Sequence, residues 1–261
     1  MMTVLALIRK NLLEIRLMLF LIASTLFGFA WLFVFITRRI ETGASRSRFS
    51  FIDATSIQIE MNLWDNNALI LLLIGLWAIA RGSTMAGEIE KGTMDLIMSR
   101  PVRRSTYALT HLIVGLLGFI VIGAAMLAGS LASAHFNLLR SPPSVTILLK
   151  PIVNLAALGW AIYGYTFLIA GIDIVRWRPV MIGSVATIAA YLAHVIANAP
   201  TIAEEYKVID RFSIFRACRL IEVVTTGETF VFNVAVLGLI GFLGVAIGFF
   251  YFINRDLPAG S

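Results

Sequence analysis

Residues 230–253 read FVFNVAVLGLIGFLGVAIGFFYFI, a run without a single Asp, Glu, Lys or Arg. An α-helix needs about 20 residues to cross the hydrocarbon core of a bilayer, and this run is long enough. Strands that span membranes alternate apolar and polar residues, and the run shows no such alternation. The stretch therefore predicts a transmembrane helix.

Five further apolar runs have a similar length and lie at residues 17–36, 63–85, 107–134, 152–171 and 179–198. Together the six runs predict an all-α polytopic membrane protein with a single transmembrane domain over residues 1–261. The first run is longer than the apolar part of a signal peptide, so we expect it to be retained. The stretches between the runs are too short to fold a separate catalytic or nucleotide-binding domain.

The composition agrees with a membrane protein. Of 261 residues, 59% are hydrophobic and 14% are charged, against about 25% charged in an average soluble domain. A soluble globular or disordered chain is therefore excluded. The net charge of +6 comes from basic residues between the apolar runs, which favours contact with lipid headgroups over binding of nucleic acid. The one cysteine, Cys218, closes no disulfide within the chain.

Basic residues between spans two and three set the predicted orientation. Lys91, Arg100, Arg103 and Arg104 lie in this loop, and such residues favour the cytoplasmic side. An even number of spans then places both termini in the cytoplasm, for a protein of the cell's inner (plasma) membrane. Residues 3–16 have apolar side chains at helical spacing and predict an amphipathic helix on the inner membrane surface. The alternative is an N-terminal extension of span one.

The centres of the six spans contain no charged residue. Charges within spans often mark ion pathways and proton relays, so their absence disfavours an ion-coupled transporter or a charge-lined channel. If the protein moves a substrate, the driving energy therefore enters from outside the membrane.

The apolar spans also contain a few small and uncharged polar residues. Close helix packing is predicted at two glycine groups, one of them a candidate subunit interface: Gly115, Gly118 and Gly123 in span three, and Gly241, Gly244 and Gly248 in span six. The few uncharged polar groups that could line a substrate path are Tyr163, Thr166, Ser184 and Asn233. Such a lining fits lipids, drugs, peptides and small hydrophobic molecules equally, so the substrate stays open.

His135 and His194 provide an alternative function. Both are predicted near the outer ends of spans, and two histidines at similar depth can ligate a haem or a metal in an integral-membrane redox enzyme. No carboxylate or thiolate is expected beside them, which favours the simpler interpretation of interfacial histidines that bond headgroups or backbone.

The segment GEIEKGTMDLIMSRPVRRSTY, residues 87–107, is the most informative outside the spans. Gly87 and Gly92 allow the chain to leave the membrane and turn. Thr93 is a candidate cap for a short helix over residues 94–99, which Pro101 ends. Apolar residues on this helix predict either a docking site for another protein or a helix lying flat on the membrane.

This segment resembles the cytosolic loop of type 2 permeases of ABC transporters. The residues that carry the resemblance are Glu88, Glu90, Lys91, Gly92, Thr93, Leu96, Ile97, Arg100, Pro101, Val102 and Arg104. The C-terminal stretch FINRDLP, residues 252–258, is similar to the ending common in that family. His111 stands where the family often has lysine, and the charges Arg216, Arg219 and Glu222 depart from its apolar hairpin between spans five and six.

The resemblance implies the membrane subunit of an ATP-driven transporter, in most cases an exporter. The element from Glu88 to Pro101 would be a coupling helix that binds a separate ATPase subunit, with Arg104 just after it, and residues 173–178 would make a second, smaller contact. Glu88 and Glu90 would pair with basic groups of that subunit or with nearby arginines. Two permease chains, identical or different, would associate. ATP and Mg would bind the partner, since this chain has no phosphate loop and no expected catalytic residue, metal or cofactor. A membrane assembly subunit without transport of its own is a further alternative.

Overall fold

The computed structural model describes residues 2–41, 56–65, 67–94, 102–137, 143–199, 204–225, 227 and 229–255. These residues are mostly helical and include no β-strand, which confirms the all-α prediction. In chain order the helices are α1 (Met2–Glu41), α2 (Ser56–Asp65), α3 (Ala68–Gly82), α4 (Thr84–Glu90), α5 (Arg104–Phe136), α6 (Val145–Ile172), α7 (Trp177–Ala197), two 3-10 helices (Glu204–Phe212 and Ile214–Ala217), α8 (Leu220–Thr225) and α9 (Phe230–Asn254).

Among the described residues, five helices are long and apolar enough to cross a membrane: α1, α5, α6, α7 and α9. They contain the predicted spans one, three, four, five and six, apart from a residue at the end of span five. The bent pair of α2 and α3 brings the number to six if the two count as one span. Several apolar helices therefore mark the chain as a membrane protein.

The N-terminal helix predicted at residues 3–16 is not a separate element. It forms one continuous helix with span one, because the stretch has no proline and only one glycine, Gly28, to interrupt it. At 1.5 Å per residue, α1 is about 60 Å long, twice a hydrocarbon core of about 30 Å. The first part of α1, with Arg9, Lys10, Glu14 and Arg16, therefore extends beyond the apolar part.

The second span, predicted at residues 63–85, is not a single helix in the structure. α2 and α3 meet at 61°, and the side chain of Asn67 caps α3 by accepting a hydrogen bond from the backbone N–H of Leu69 at 3.0 Å. At its other end α3 stops at Gly82, and α4 begins at Thr84 after the single residue Ser83. α3 alone is about 22 Å long, too short to cross the core without its neighbours.

The glycines of span six form a packing seam within the chain. A Cβ atom on Gly164 of α6 would lie 2.6 Å from the Cα of Gly241, and one on Gly248 of α9 would lie 2.7 Å from the Cα of Leu168. These distances leave room for no side chain, so α6 and α9 meet backbone to backbone. The GxxxG motif at Gly244 thus serves this internal seam.

α6 lies at the centre of the bundle and α7 at its edge. In their most apolar stretches, 56% of the residues of α6 are buried against 11% of those of α7. α6 packs on α9, α3, α5 and α7, while α1 packs mainly on α5. The exposed face of α7 is apolar, with Met181, Val185 and Leu192 at least half exposed, as expected for a surface against lipid.

Candidate site at the α4 end of the bundle

Two polar regions lie at opposite ends of the bundle. α3 begins beside α8, where Asp65 accepts hydrogen bonds from the first residues of α8, and ends beside α4. α7 runs the other way, from Arg176 near α4 to His194 near the first 3-10 helix. We call these regions the α4 end and the α8 end.

Glu88 on α4 joins three helices at the α4 end. Its carboxylate is 7% exposed. Lys10 of α1 donates to Oε1 at 3.3 Å, and the hydroxyl of Tyr107 on α5 donates to Oε2 at 2.5 Å. Both oxygens are thus used inside the chain, as a buried carboxylate requires. Glu88 therefore ties α4 to α1 and α5 instead of facing outward.

Arg81 lies beside Glu88 and is almost fully buried, at 2% exposure. One of its terminal nitrogens, Nη2, lies 3.4 Å from Nδ1 of His111. Arginine only donates, so Nδ1 accepts and the proton of the ring is on Nε2. That nitrogen is 3.9 Å from the carboxylate of Glu88, too far for a hydrogen bond. No described residue accepts a hydrogen bond from Nε of Arg81.

The C-terminal tip of α4, residues Glu90–Gly92, is exposed, and hydrogen bonds hold it against neighbouring segments. Glu90, Lys91 and Gly92 face outward. The carboxylate of Glu90 accepts a hydrogen bond from the backbone N–H of Arg176 at 2.9 Å, and the hydroxyl of Thr93 donates to the carbonyl of Glu88 at 3.0 Å. Gly92 has φ +67°, so the turn expected there is confirmed.

Gly87 plays a different part from the one predicted. It lies inside α4 and is buried, so it makes no exit turn. A Cβ atom there would be 2.6 Å from Cδ of Arg176, and the missing side chain makes room for the stem of this arginine. Gly87 therefore lets Arg176, the residue just before α7, pack against α4.

The remaining predicted site residues fall into two groups. Arg104 begins α5 and donates from Nη1 to the carbonyl of Arg255 at 2.7 Å, and Arg255 donates to the carbonyl of Asp173 at 3.1 Å. The start of α5, the end of α9 and the loop before α7 are thus connected. Leu96, Arg100 and Pro101 lie outside the described residues, as do most of the predicted helix at 94–99 and the chain end after residue 255.

The α8 end contains the second polar region, which we call the Asp210 cluster: His194, Asp210 and Arg219. Nδ1 of His194 lies 2.7 Å from Oδ1 of Asp210, and Arg219 donates to Oδ2 at 2.9 Å. Burial lowers the pKa of Arg219, but hydrogen bonds and charge from Glu222 and Asp210 outweigh burial and raise it. The expectation that no carboxylate accompanies His194 is wrong, because Asp210 lies 16 residues away along a stretch predicted only as polar.

Asp65 and Cys218 complete the α8 end. Asp65 accepts from the backbone N–H groups of Leu220 and Ile221 at 3.0 and 3.1 Å, so it caps α8. Cys218 is 7% exposed, and burial, with a smaller effect from the charge of Asp65, raises the pKa of its thiol. His135 at the end of α5 is exposed and packs edge-on against Phe136.

No family model matches the chain, and no curated protein sequence matches it.

The candidate polar residues for a substrate path separate in the structure. Tyr163 and Thr166 are fully buried in helix packing, and the hydroxyl of Tyr163 lies 3.4 Å from the carbonyl of His111. Asn233 is buried near the start of α9. Ser184 lines an open cleft between α3 and α7.

Sequence reasoning missed Arg81, Lys10, Tyr107 and His111 as parts of one cluster. These residues come from three helices distant in sequence, so no spacing pattern connects them. One signal was available. Arg81 and Glu88 are seven residues apart, two helical turns, and lie at the end of an apolar run, where unpaired charges are costly.

Proposed function

We propose that the chain is the membrane-spanning permease subunit of an ATP-binding-cassette transporter of type 2, and that it works as an exporter. The partners are a separate ATPase subunit, which binds ATP and Mg, and a second permease chain, identical or different. The chain itself is not an enzyme in this proposal. It spans the inner (plasma) membrane with both termini, and hence the α4 end, in the cytoplasm.

One observation carries the proposal: α4, whose C-terminal tip Glu90–Gly92 is exposed, is bonded to several apolar helices at once. Glu88 binds Lys10 of α1 and Tyr107 of α5, and Glu90 binds the backbone just before α7. α4 itself continues from α3 after one residue. A force on the tip would therefore reach four helices through short, direct bonds.

This arrangement suits a coupling element. A partner that closes on ATP and pushes the tip would move α1, α3, α5 and α7 as packed bodies, since packed interiors transmit displacement with little compression. The energy enters from the ATPase, in agreement with the absence of charged residues from the central parts of α1, α5, α6, α7 and α9. Lys91 and the backbone of Gly92 are the groups most exposed to the partner.

The test compares Glu88→Gln with Glu14→Gln. Both remove a carboxylate near the Nζ of Lys10, at 3.3 Å and 3.4 Å, but only Glu88 ties α4 to the bundle. The tagged full chain is isolated from its native membranes. Mass spectrometry identifies any co-purifying subunit with a phosphate-loop motif, and phosphate release and substrate flux are measured with Mg-ATP.

We expect the wild-type chain and Glu14→Gln to co-purify with such a subunit and to couple hydrolysis to transport. Glu88→Gln should still bind it but lose most of the coupling. Lys91→Glu, at the tip, should weaken the association itself. If no phosphate-loop subunit is retained by the wild-type chain, or if Glu88→Gln couples like Glu14→Gln, the proposal is wrong.

A further inference from the structure

Two cavities of different character meet at Arg176. The first is a cleft of about 340 Å³ between α3 and α7. Its walls are almost wholly apolar, with Leu71, Leu72, Leu76, Ile79, Val180 and Ile188 among the lining residues. The cleft extends along α3 from Phe215, at the α8 end, to Arg176 at the α4 end. Its lining on α3 runs from Ala68 to Ala80, about 18 Å at 1.5 Å per residue, which is about the length of an extended acyl chain.

The second cavity lies at the α4 end and has a volume of about 620 Å³. Ala80 and Arg176 line both cavities, so the two are adjacent. Each volume falls in the range of small-molecule sites, about 300–1,000 Å³. The charged residues that line the second cavity are four bases and two acids: Lys10, Arg81, Lys91 and Arg176, with Glu14 and Glu88.

The charges of the second cavity do not balance. Lys10 pairs with both carboxylates, those of Glu14 at 3.4 Å and Glu88 at 3.3 Å. Within the described part of the chain, Arg81, Lys91 and Arg176 form no ion pair with any carboxylate. Three cations therefore line one cavity and have no direct anionic partner among the residues that the structure describes.

Arg81 is a buried cation in the wall of this cavity. It is 98% buried, since its exposure is 2%. Its Nε finds no acceptor among the described residues. A buried guanidinium with an unused donor costs free energy unless an acceptor completes it. Arginine prefers planar, bidentate contact with phosphate or carboxylate, so an anion is the class of ligand that suits a wall of these cations.

We propose that the two cavities together bind one anionic amphiphile, a lipid with a phosphate in its headgroup. The phosphate lies against Arg81, Lys91 and Arg176, and one acyl chain occupies the α3–α7 cleft. Basic pockets at the membrane surface bind such headgroups, and each buried methylene of the chain adds affinity. This inference is independent of the proposed transport function and holds for any membrane protein with these cavities.

The test uses the full chain purified from membranes in detergent, without ATP or partner. Thermal unfolding and native mass spectrometry are recorded with three probes: phosphatidylglycerol, phosphatidylcholine with the same acyl chains, and inorganic phosphate. We expect phosphatidylglycerol to raise the unfolding temperature and to remain bound in a one-to-one complex. Equal stabilisation by phosphatidylcholine would overturn the anionic site, and equal stabilisation by inorganic phosphate would overturn the acyl-chain part.

Variants separate the two halves of the site. Arg176→Gln and Lys91→Gln remove exposed cations of the cavity and should weaken phosphatidylglycerol binding about tenfold each, as the loss of one charge-assisted contact predicts. Arg103→Gln removes an exposed arginine that does not line the cavity and should bind as wild type. If Arg103→Gln weakens binding as much as Arg176→Gln, general surface charge explains the affinity and the site is wrong.

The cleft is tested without a change of charge. Ser184→Leu fills the cleft, whereas Ala186→Leu makes a similar change on the exposed side of the same helix. Only Ser184→Leu should weaken the binding of phosphatidylglycerol. Equal binding by both variants would place the acyl chain elsewhere. A stable lipid-free dimer of the wild type, in which Ser184→Leu changes the oligomeric state, would instead assign the cleft to a second copy of the chain and overturn the proposal.

Discussion

The Asp210 cluster and Asp65 at the α8 end and the surroundings of Arg81 at the α4 end use the same side-chain types in opposite ways. At the α8 end, both oxygens of Asp210 and both oxygens of Asp65 accept hydrogen bonds from within the chain. At the α4 end, Glu88 is satisfied, but among the described residues Nε of Arg81 has no acceptor and three cations have no carboxylate in direct contact. A charge set that is complete holds a fold, and one that is incomplete and lines a cavity is open to a ligand.

The largest expected effect concerns the position of the two ends relative to the membrane. Lys91→Cys places a thiol at the α4 end, and Val208→Cys places one at the α8 end, where Val208 is 48% exposed. An impermeant maleimide added to intact cells should label only Val208→Cys, and Lys91→Cys only after the membrane is permeabilised.

The wild-type chain is the control for this labelling. Cys218 is buried and its thiol pKa is raised, so the wild type should stay unlabelled in both conditions until it is unfolded. Labelling of Lys91→Cys in intact cells would reverse the orientation. Equal labelling of both variants would mean that the two ends do not lie on opposite sides.

A smaller effect, on the free energy of unfolding, is expected from Asp210→Asn in the Asp210 cluster. The change removes the charge that binds Arg219 and His194, and we expect a loss of about 2 kcal/mol in the free energy of unfolding. Unfolding by denaturant in lipid-free detergent measures it. Glu222→Gln removes a half-exposed partner of the same arginine and should cost less than about 0.5 kcal/mol. A negligible cost for Asp210→Asn would show that this cluster does not stabilise the fold.

A smaller effect on stability than that of Asp210→Asn is expected from Arg81→Met at the α4 end. The variant removes a buried charge together with its desolvation cost, and it gives up one long contact with His111 at 3.4 Å. In lipid-free detergent we expect a change of less than about 1 kcal/mol in the free energy of unfolding. A loss as large as that of Asp210→Asn would make Arg81 a structural residue, and the contrast between the ends would disappear.

The long apolar runs were predictable because composition alone decides them. Residues 107–134 and 230–253 match α5 and α9 to within three residues at each end. The break between α2 and α3 was missed because Asn67 acts through its own side chain, which a hydropathy window does not register. Helix α1 was divided in error, since a change from amphipathic to apolar character does not interrupt a helix.

The candidate site was predictable only in its local part. The turn at Gly92 follows from the residue type and is found at φ +67°. The burial of Glu88 could not be predicted, because it depends on Lys10, 78 residues away, and on Tyr107, 19 residues away. The pairing of His194 with Asp210 was missed for the same reason: it follows from the fold and has no local signature.

The glycine seam between α6 and α9 limits how the protein changes shape. With Gly164 and Gly244 in backbone contact, sliding by one residue would press a full side chain into a space that has no room for a methyl group. α6 and α9 therefore rotate and translate as one solid piece. We expect a change of shape to move α3 and α7 relative to each other instead, since an open cleft of about 340 Å³ lies between them.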